Sequence, residues 1–210
     1  MITNQLLHPA SIVVVGASNN VHKPGGAILR NLISGGYAGE MRAVNPKETE
    51  VQGGAAYADV KDIPDTDLAI LAIPAVMCPN AVEVLAAEKQ VRAFIILSAG
   101  FGEETHEGAL LEDRILETVN KYGASLIGPN CIGLMNTWHH SVFSRYRTCI
   151  RRVSIWYPVP GQLRYLYWKA RLPRGCSSIL CGLWAMPSRL GWKTCCNIWT
   201  SILIRKRTPG

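Results

Sequence analysis

One segment of the sequence has the residue types and spacing to hold an anion. The β-branched run Ser11-Ile12-Val13-Val14-Val15 ends at Gly16-Ala17-Ser18, and a loop continues through Lys23 and Pro24 to Gly25-Gly26. Small residues let a backbone come close to a phosphate. A helix starting just beyond them aims free N–H groups and a partial positive charge at it. Ser18 adds a hydroxyl donor, and Lys23 and Lys47 add charge. A hydrogen bond to a charged group is worth roughly 1.5–3 kcal/mol, so a phosphate is the natural guest.

The dinucleotide pattern G-x-G-x-x-G is absent, because the glycines after Gly16 come only at 25 and 26. The second strand does not end in Asp or Glu, which would bind a ribose diol. It ends in Asn45-Pro46-Lys47. A basic residue there suits a phosphorylated ribose or an adenine edge. The reading is a 3′-phosphorylated nucleotide, with NADP as the other option.

No other group reads as catalytic or metal-binding. His22 and His106 fall in loops and are expected to face solvent, as are Glu103-Glu104. The adjacent pair His139-His140 cannot share one helix face. Cys78 and Cys131 are expected to be buried thiols, and Cys195-Cys196 has no zinc spacing.

The elements that must position the cradle alternate. Strands are expected at Ser11–Gly16, Met41–Val44, Leu68–Ile73, Phe94–Leu97 and Ser125–Ile127, with helices at Ala27–Ile33, Val76–Lys89 and Gly108–Tyr122. This alternation implies βαβ units, hence an α/β fold: a Rossmann-like, doubly wound parallel sheet of about five strands. Ligands of such sheets bind outside the carboxyl ends of the strands. Those ends are Gly16-Ala17-Ser18, Asn45-Pro46-Lys47, Ile73-Pro74, Ser98-Ala99-Gly100-Phe101 and Gly128-Pro129-Asn130, five loops that should meet on one rim.

Six of these segments occur in a family order. Val15-Gly16-Ala17-Ser18, Lys23, Val44-Asn45-Pro46-Lys47, Ala72-Ile73-Pro74-Ala75, Ser98-Ala99-Gly100-Phe101-Gly102-Glu103 and Gly128-Pro129-Asn130-Cys131-Ile132-Gly133 span residues 7–136. Together they resemble the CoA-binding domain of the ADP-forming acyl-CoA (acetate–CoA) ligases, relatives of the succinyl-CoA synthetase α subunit. The resemblance implies that Gly16 to Lys23, with Lys47, contact the CoA phosphates and adenine. It also implies that Ile73, Pro74 and Ser98 to Phe101 line the pantetheine path. In that family ATP phosphorylates a histidine, the phosphoryl group passes to the acid, and CoA attacks the acyl phosphate. The phosphohistidine domain and the ATP-grasp domain or subunit, with their ATP and Mg, are expected only in the intact family enzyme. The alternatives are a stand-alone CoA-binding regulatory module and an NADP-binding oxidoreductase domain.

Composition breaks the chain in two. All fifteen acidic residues lie at or before Glu117, while 144–210 carry ten Arg, three Lys, five of six Trp and five of seven Cys. Residues 1–143 therefore carry about −6 and the remainder about +13 of the net +7. A segment without acids, rich in Trp and Arg, is unusual for a folded domain. It reads either as a basic nucleic-acid-binding tail or as out-of-frame translation. Regrouping codons favours the second. In one shifted frame Gly191–Thr200 permits V-E-D-V-L-Q-Y-L-D, Trp184–Pro187 permits V-G-N-A, and Ile155–Gly161 permits L-V-S-G-S-G. These resemble the family's second domain, in family order. Residues 1–143 are thus expected to be the CoA-binding domain, and 144–210 an irregular or disordered out-of-frame remnant with no nucleic-acid partner. No run of 18 apolar residues and no signal-peptide-like start occurs, so no membrane association and a cytoplasmic location are expected.

Resequencing the parent DNA should reveal a frame break near codons 144–147. An intact frame encoding Arg151-Arg152 and Trp192 in independent isolates would refute it.

Overall fold

The computed structural model describes residues 2–143 and the short strand Ser154–Ile155. Three apolar runs form the centre of the sheet: β1 (Ser11–Val15), β5 (Leu68–Leu71) and β6 (Ala93–Ile96). Strand side chains alternate between faces, and here they feed two separate cores. Ile12, Val14, Leu68, Ile70, Ala93 and Ile95 point to one core, and Val13, Val15, Ala69, Leu71, Phe94 and Ile96 to the other. Burial on both faces is what the continuous apolar runs require.

Between β1 and β5 lie β2 (Glu40–Val44), β3 (Glu50–Val51) and β4 (Gly54–Tyr57); β7 (Ser125–Ile127) follows β6. The sheet has seven strands in the order β3-β4-β2-β1-β5-β6-β7. All neighbours pair parallel except β3 with β4, which form an antiparallel hairpin. The five expected strands are present, and the hairpin extends the sheet beyond them. The chain first builds outward from β1 through β2, then returns to β5 on its other side. The β1/β5 boundary is therefore the topological switch point, where a doubly wound sheet opens a crevice.

The helices that cover the sheet follow from helical apolar spacing. A short α1 (Asn4–Leu7) precedes β1. Helix α2 (Pro24–Ser34) buries Ile28, Leu29 and Leu32 in the first core. Helices α3 (Cys78–Glu88) and α4 (His106–Lys121) bury Val82, Leu85, Ile115 and Val119 in the second. Pro24 opens α2, where its missing N–H costs nothing. Thr105 caps α4 by accepting from the Gly108 N–H at 2.9 Å, with Glu107 in the first turn and Lys121 in the last, as the helix dipole favours.

Beyond β7 the chain forms β8 (Gly133–Met135) and β9 (His140–Val142), and Ser154–Ile155 (β10) adds antiparallel to β8. Apart from that pairing, the expectation of an irregular, out-of-frame 144–210 lies outside the described residues. The small sheet is fastened to the first core by Asn31 of α2, whose side-chain N–H donates to the Val142 carbonyl at 2.5 Å. It is also fastened through His139, which is 1% exposed. Its Nε2 lies 3.1 Å from the Leu6 carbonyl and its Nδ1 2.7 Å from the Ser141 hydroxyl. These partners fit a neutral ring that donates from Nε2 and accepts at Nδ1. Among the described residues no group of His, Cys, Asp or Glu could hold a metal ion. None of the helices described is long and apolar enough to cross a membrane.

Burial lowers the His139 pKa from 6.5 to about 4. The unfolded chain takes up a proton near pH 6.5, but the folded one does so only near pH 4. Stability from this group is complete above pH 6.5, falls between there and pH 4, and is then flat. The loss across that window is about 3 kcal/mol by linkage. Urea titrations of the full chain should show this slope, and His139→Gln should reduce it, leaving the part due to His140, whose pKa burial also lowers. An equal slope in the variant would assign the acid sensitivity elsewhere.

Candidate functional site

The chain must turn sharply where β1 ends. Gly16 adopts φ +85°, open to glycine but rare for other residues. A Cβ there would lie 2.5 Å from the Ala72 carbonyl oxygen at the end of β5. The N–H groups of Gly16 and Ala17 both donate to the Val44 carbonyl, at 3.0 and 3.2 Å. The first turn of α2 then returns over this loop. A Cβ on Gly25 would lie 2.0 Å from the Gly16 carbonyl oxygen, and one on Gly26 2.2 Å from that of Asn20. Gly25 and Gly26 are distant from Gly16 in sequence, yet they allow the helix to pack closely on the strand. That is the role of the last glycine in the ordinary dinucleotide pattern.

The α2 N-terminus, with Lys23 as its cap residue and no side chain capping it, thereby stands at the switch point. Ser18 Oγ accepts from the Asn20 N–H at 3.1 Å, which leaves its hydroxyl hydrogen to donate. Lys23 and Lys47 are exposed. Lys47 is set by an Asx turn, its N–H donating to Asn45 Oδ1 at 2.8 Å. Asn45 also donates from Nδ2 to the Ala17 carbonyl at 2.9 Å and so ties the second rim loop to the first. Pro46 is exposed between Asn45 and Lys47.

The other loops meet the same rim. Ile73 is half-buried and its carbonyl accepts from the Ser98 hydroxyl. Pro74 leads into a single 3₁₀ turn, Ala75–Met77, that leaves Val76 73% and Met77 55% exposed. The Ser98 carbonyl accepts from the Asn130 N–H at 2.9 Å, which joins the Gly128-Pro129-Asn130 loop to the line. Ala99 is exposed, and Gly100, at φ +96°, donates its N–H to Glu103 Oε1 at 3.0 Å.

Phe101 departs from the expected pantetheine lining. Its ring is fully buried in the second core, so it anchors the loop from below and does not face the rim. Gly108 of α4 packs against it so closely that a Cβ would come within 2.2 Å of the Phe101 carbonyl oxygen. The two thiols are buried as expected. Burial pushes both Cys78 and Cys131 up to about 12, and Cys131 Sγ lies 3.2 Å from the Ile96 carbonyl. His22, His106, Glu103 and Glu104 are exposed.

Sequence reasoning did not single out two residues that build the cradle. Asn19 donates to the Glu50 carbonyl at 3.0 Å and to the Glu48 carboxylate, and accepts from the Gln52 N–H at 2.7 Å. Gln52 donates from Nε2 to the carbonyls of Ser18 and Gly26, each at 2.9 Å. The signal was the hairpin itself. Val51 pairs with Gly54 across the two-residue turn Gln52-Gly53, with φ +51° and +85°. Those angles fit a type I′ turn, marked in the sequence by Gly53 at its second central position.

Residues 10–137 match the family model described as CoA binding domain. This chain belongs to that family. Among its relatives, Acetate–CoA ligase [ADP-forming] I of Archaeoglobus fulgidus is 42% identical over 134 residues, 63% of this chain and 19% of that protein. The alpha subunit of Acetate–CoA ligase [ADP-forming] II of Pyrococcus furiosus is 38% identical over 149 residues, 70% of this chain and 32% of that one. This CoA-binding-domain chain thus spans roughly a fifth to a third of the length of those relatives. A Pyrococcus horikoshii crystal structure superposes with a TM-score of 0.62 at 39% identity, covering 68% of this chain and 33% of that one. The acetyl-coenzyme A synthetase 1 of Ca. Korarchaeum cryptofilum, solved with phosphate and ADP, also gives 0.62, at 30% identity over 68% of this chain and 31% of its own.

The crossing predicts a steep response to one methyl group. Gly25→Ala should destabilise the chain by roughly 3 kcal/mol, because its Cβ would overlap backbone that cannot yield. Chemical denaturation of the full chain measures it. A loss comparable to that of Gly54→Ala, an exposed position without positive φ where a Cβ meets only an ordinary contact at 3.7 Å, would disprove the tight crossing.

Proposed function

We propose that this chain binds coenzyme A at the switch-point cradle. The observation that carries the reading is the uncapped α2 N-terminus at the end of β1, with Lys23 as its cap residue and Lys47 exposed on the loop that Asn45 ties to Ala17, in a chain of the CoA-binding-domain family. Gly16, Ala17 and Ser18 present a close backbone and a hydroxyl to the pyrophosphate. Lys23 supplies charge beside it. Asn45, Pro46 and Lys47 form the far wall, with Lys47 reaching the 3′-phosphate and Pro46 the adenine edge. Ile73, Pro74, Ser98, Ala99 and Gly100 border the pantetheine arm. Phe101 contributes by holding that loop down.

The names of the relatives support a place in an ADP-forming acid–CoA ligase, in which acid, CoA and ATP give acyl-CoA, ADP and phosphate. Turnover there would need the phosphohistidine and ATP-grasp parts, with ATP and Mg. In this reading, residues 1–143 are the CoA-binding module, and 144–210 are the out-of-frame remnant of the next domain. In this reading the chain alone binds CoA, and the phosphoryl- and acyl-transfer steps belong to those other parts. NADP is the second reading, favoured by the basic residue at the end of β2.

Calorimetry on the full chain with CoA, dephospho-CoA and NADP separates these readings. CoA should bind tightest, and tighter NADP binding would overturn the ligand. Lys47→Ala should weaken CoA by about tenfold or more, the worth of one charged hydrogen bond, and dephospho-CoA much less. Equal losses would remove Lys47 from the 3′-phosphate.

A further inference from the structure

We infer that Gln52 is a positioning residue for the nucleotide cradle, a clamp that sets the distance between its two arms; this rests on the reading of the cradle as the CoA phosphate site. Gln52 stands at the first position of the β3–β4 turn with φ +51°, a region that disfavours any side chain and usually holds Gly or Asn. Nothing in the hairpin needs a glutamine. Its side chain leaves the hairpin and donates both amide hydrogens to the cradle. One goes to the Ser18 carbonyl at the start of the loop and the other to the Gly26 carbonyl in the first turn of α2, each at 2.9 Å.

Those two carbonyls lie on opposite arms of the loop. The same amide therefore spans its mouth from behind and fixes the Gly16–Ser18 backbone relative to the α2 N-terminus. The hairpin is itself held in register. The Gln52 N–H donates to Asn19 Oδ1 at 2.7 Å, and Asn19 Nδ2 returns a bond to the Glu50 carbonyl at 3.0 Å. Amides converging on a phosphate must be held within a fraction of an ångström to act together. The edge hairpin thus shapes a site at the switch point without touching the ligand.

Two variants of the full chain test the clamp. Gln52→Gly relieves the left-handed backbone while deleting both bonds, so misfolding does not explain a loss. Gln52→Glu keeps the shape but turns a carboxylate towards two carbonyl oxygens. Both should weaken CoA by roughly tenfold, what two neutral hydrogen bonds are worth. Dephospho-CoA should weaken equally, because both ligands carry the pyrophosphate; this pattern is opposite to that of Lys47→Ala. The unfolding midpoint of Gln52→Gly should change little, because the relieved backbone offsets the lost bonds, while backbone amides between 17 and 27 exchange faster in the ligand-free chain. Wild-type affinity in either variant would overturn the clamp. If the wild type bound neither nucleotide, the CoA reading would fall. Amide exchange would then decide the clamp: faster exchange in Gln52→Gly upholds it and unchanged exchange ends it.

Discussion

Where α2 crosses the loop after β1, two stretches of backbone lie so close that neither can carry a side chain. Gly25 sits against the Gly16 carbonyl, and Gly16 sits against the end of β5. This double contact places the start of a helix at the boundary between the two halves of the sheet. From there the rest of the rim is built outward by hydrogen bonds. Val44 accepts from Gly16 and Ala17, Asn45 donates to Ala17, Ser98 donates to Ile73, and Asn130 donates to Ser98. Five loops far apart in sequence become one continuous surface because each satisfies a polar group of the next. Buried or half-buried backbone groups demand such partners.

The two cores make that surface rigid from below. Side chains of the central strands β1, β5 and β6 divide strictly between them, so a displacement of either helix layer would disturb packing and sheet together. Phe101 and Cys131 lie just under the rim and are buried. They keep two of its loops seated, one with an aromatic ring and one with a small thiol.

The central fold was legible because buried parallel strands have an unmistakable pattern. Ile12 to Val15, Leu68 to Leu71 and Phe94 to Ile96 are apolar at every position, and helical spacing falls between them. Shorter elements were not legible: β3 has two residues and β8 and β9 have three, too few for any periodicity. At the site, residue types were legible where chemistry depends on them, as at Gly16, Ser18 and Lys47. Partnership was not. Nothing local tells that Gln52 reaches both Ser18 and Gly26, or that the Phe101 ring turns inward. Those facts depend on how distant segments meet. The dinucleotide pattern is absent, as the spacing of Gly25 and Gly26 says, yet the longer loop brings Gly25 to the same kind of close contact.

The ends of the large sheet carry a further consequence. One edge is β3, two residues long and bearing the exposed Glu50; the other is β7, three residues long. At the start of β7 the Ser125 hydroxyl accepts from the Thr3 N–H and donates to the Thr3 hydroxyl. An unpaired strand is a template for another chain, and brevity and charge are the usual protections against it. The hairpin that shapes the cradle therefore also closes the sheet against lateral growth. A lesion in β3–β4 would expose the longer strand β2 and open a route to self-association, quite apart from any effect on a ligand.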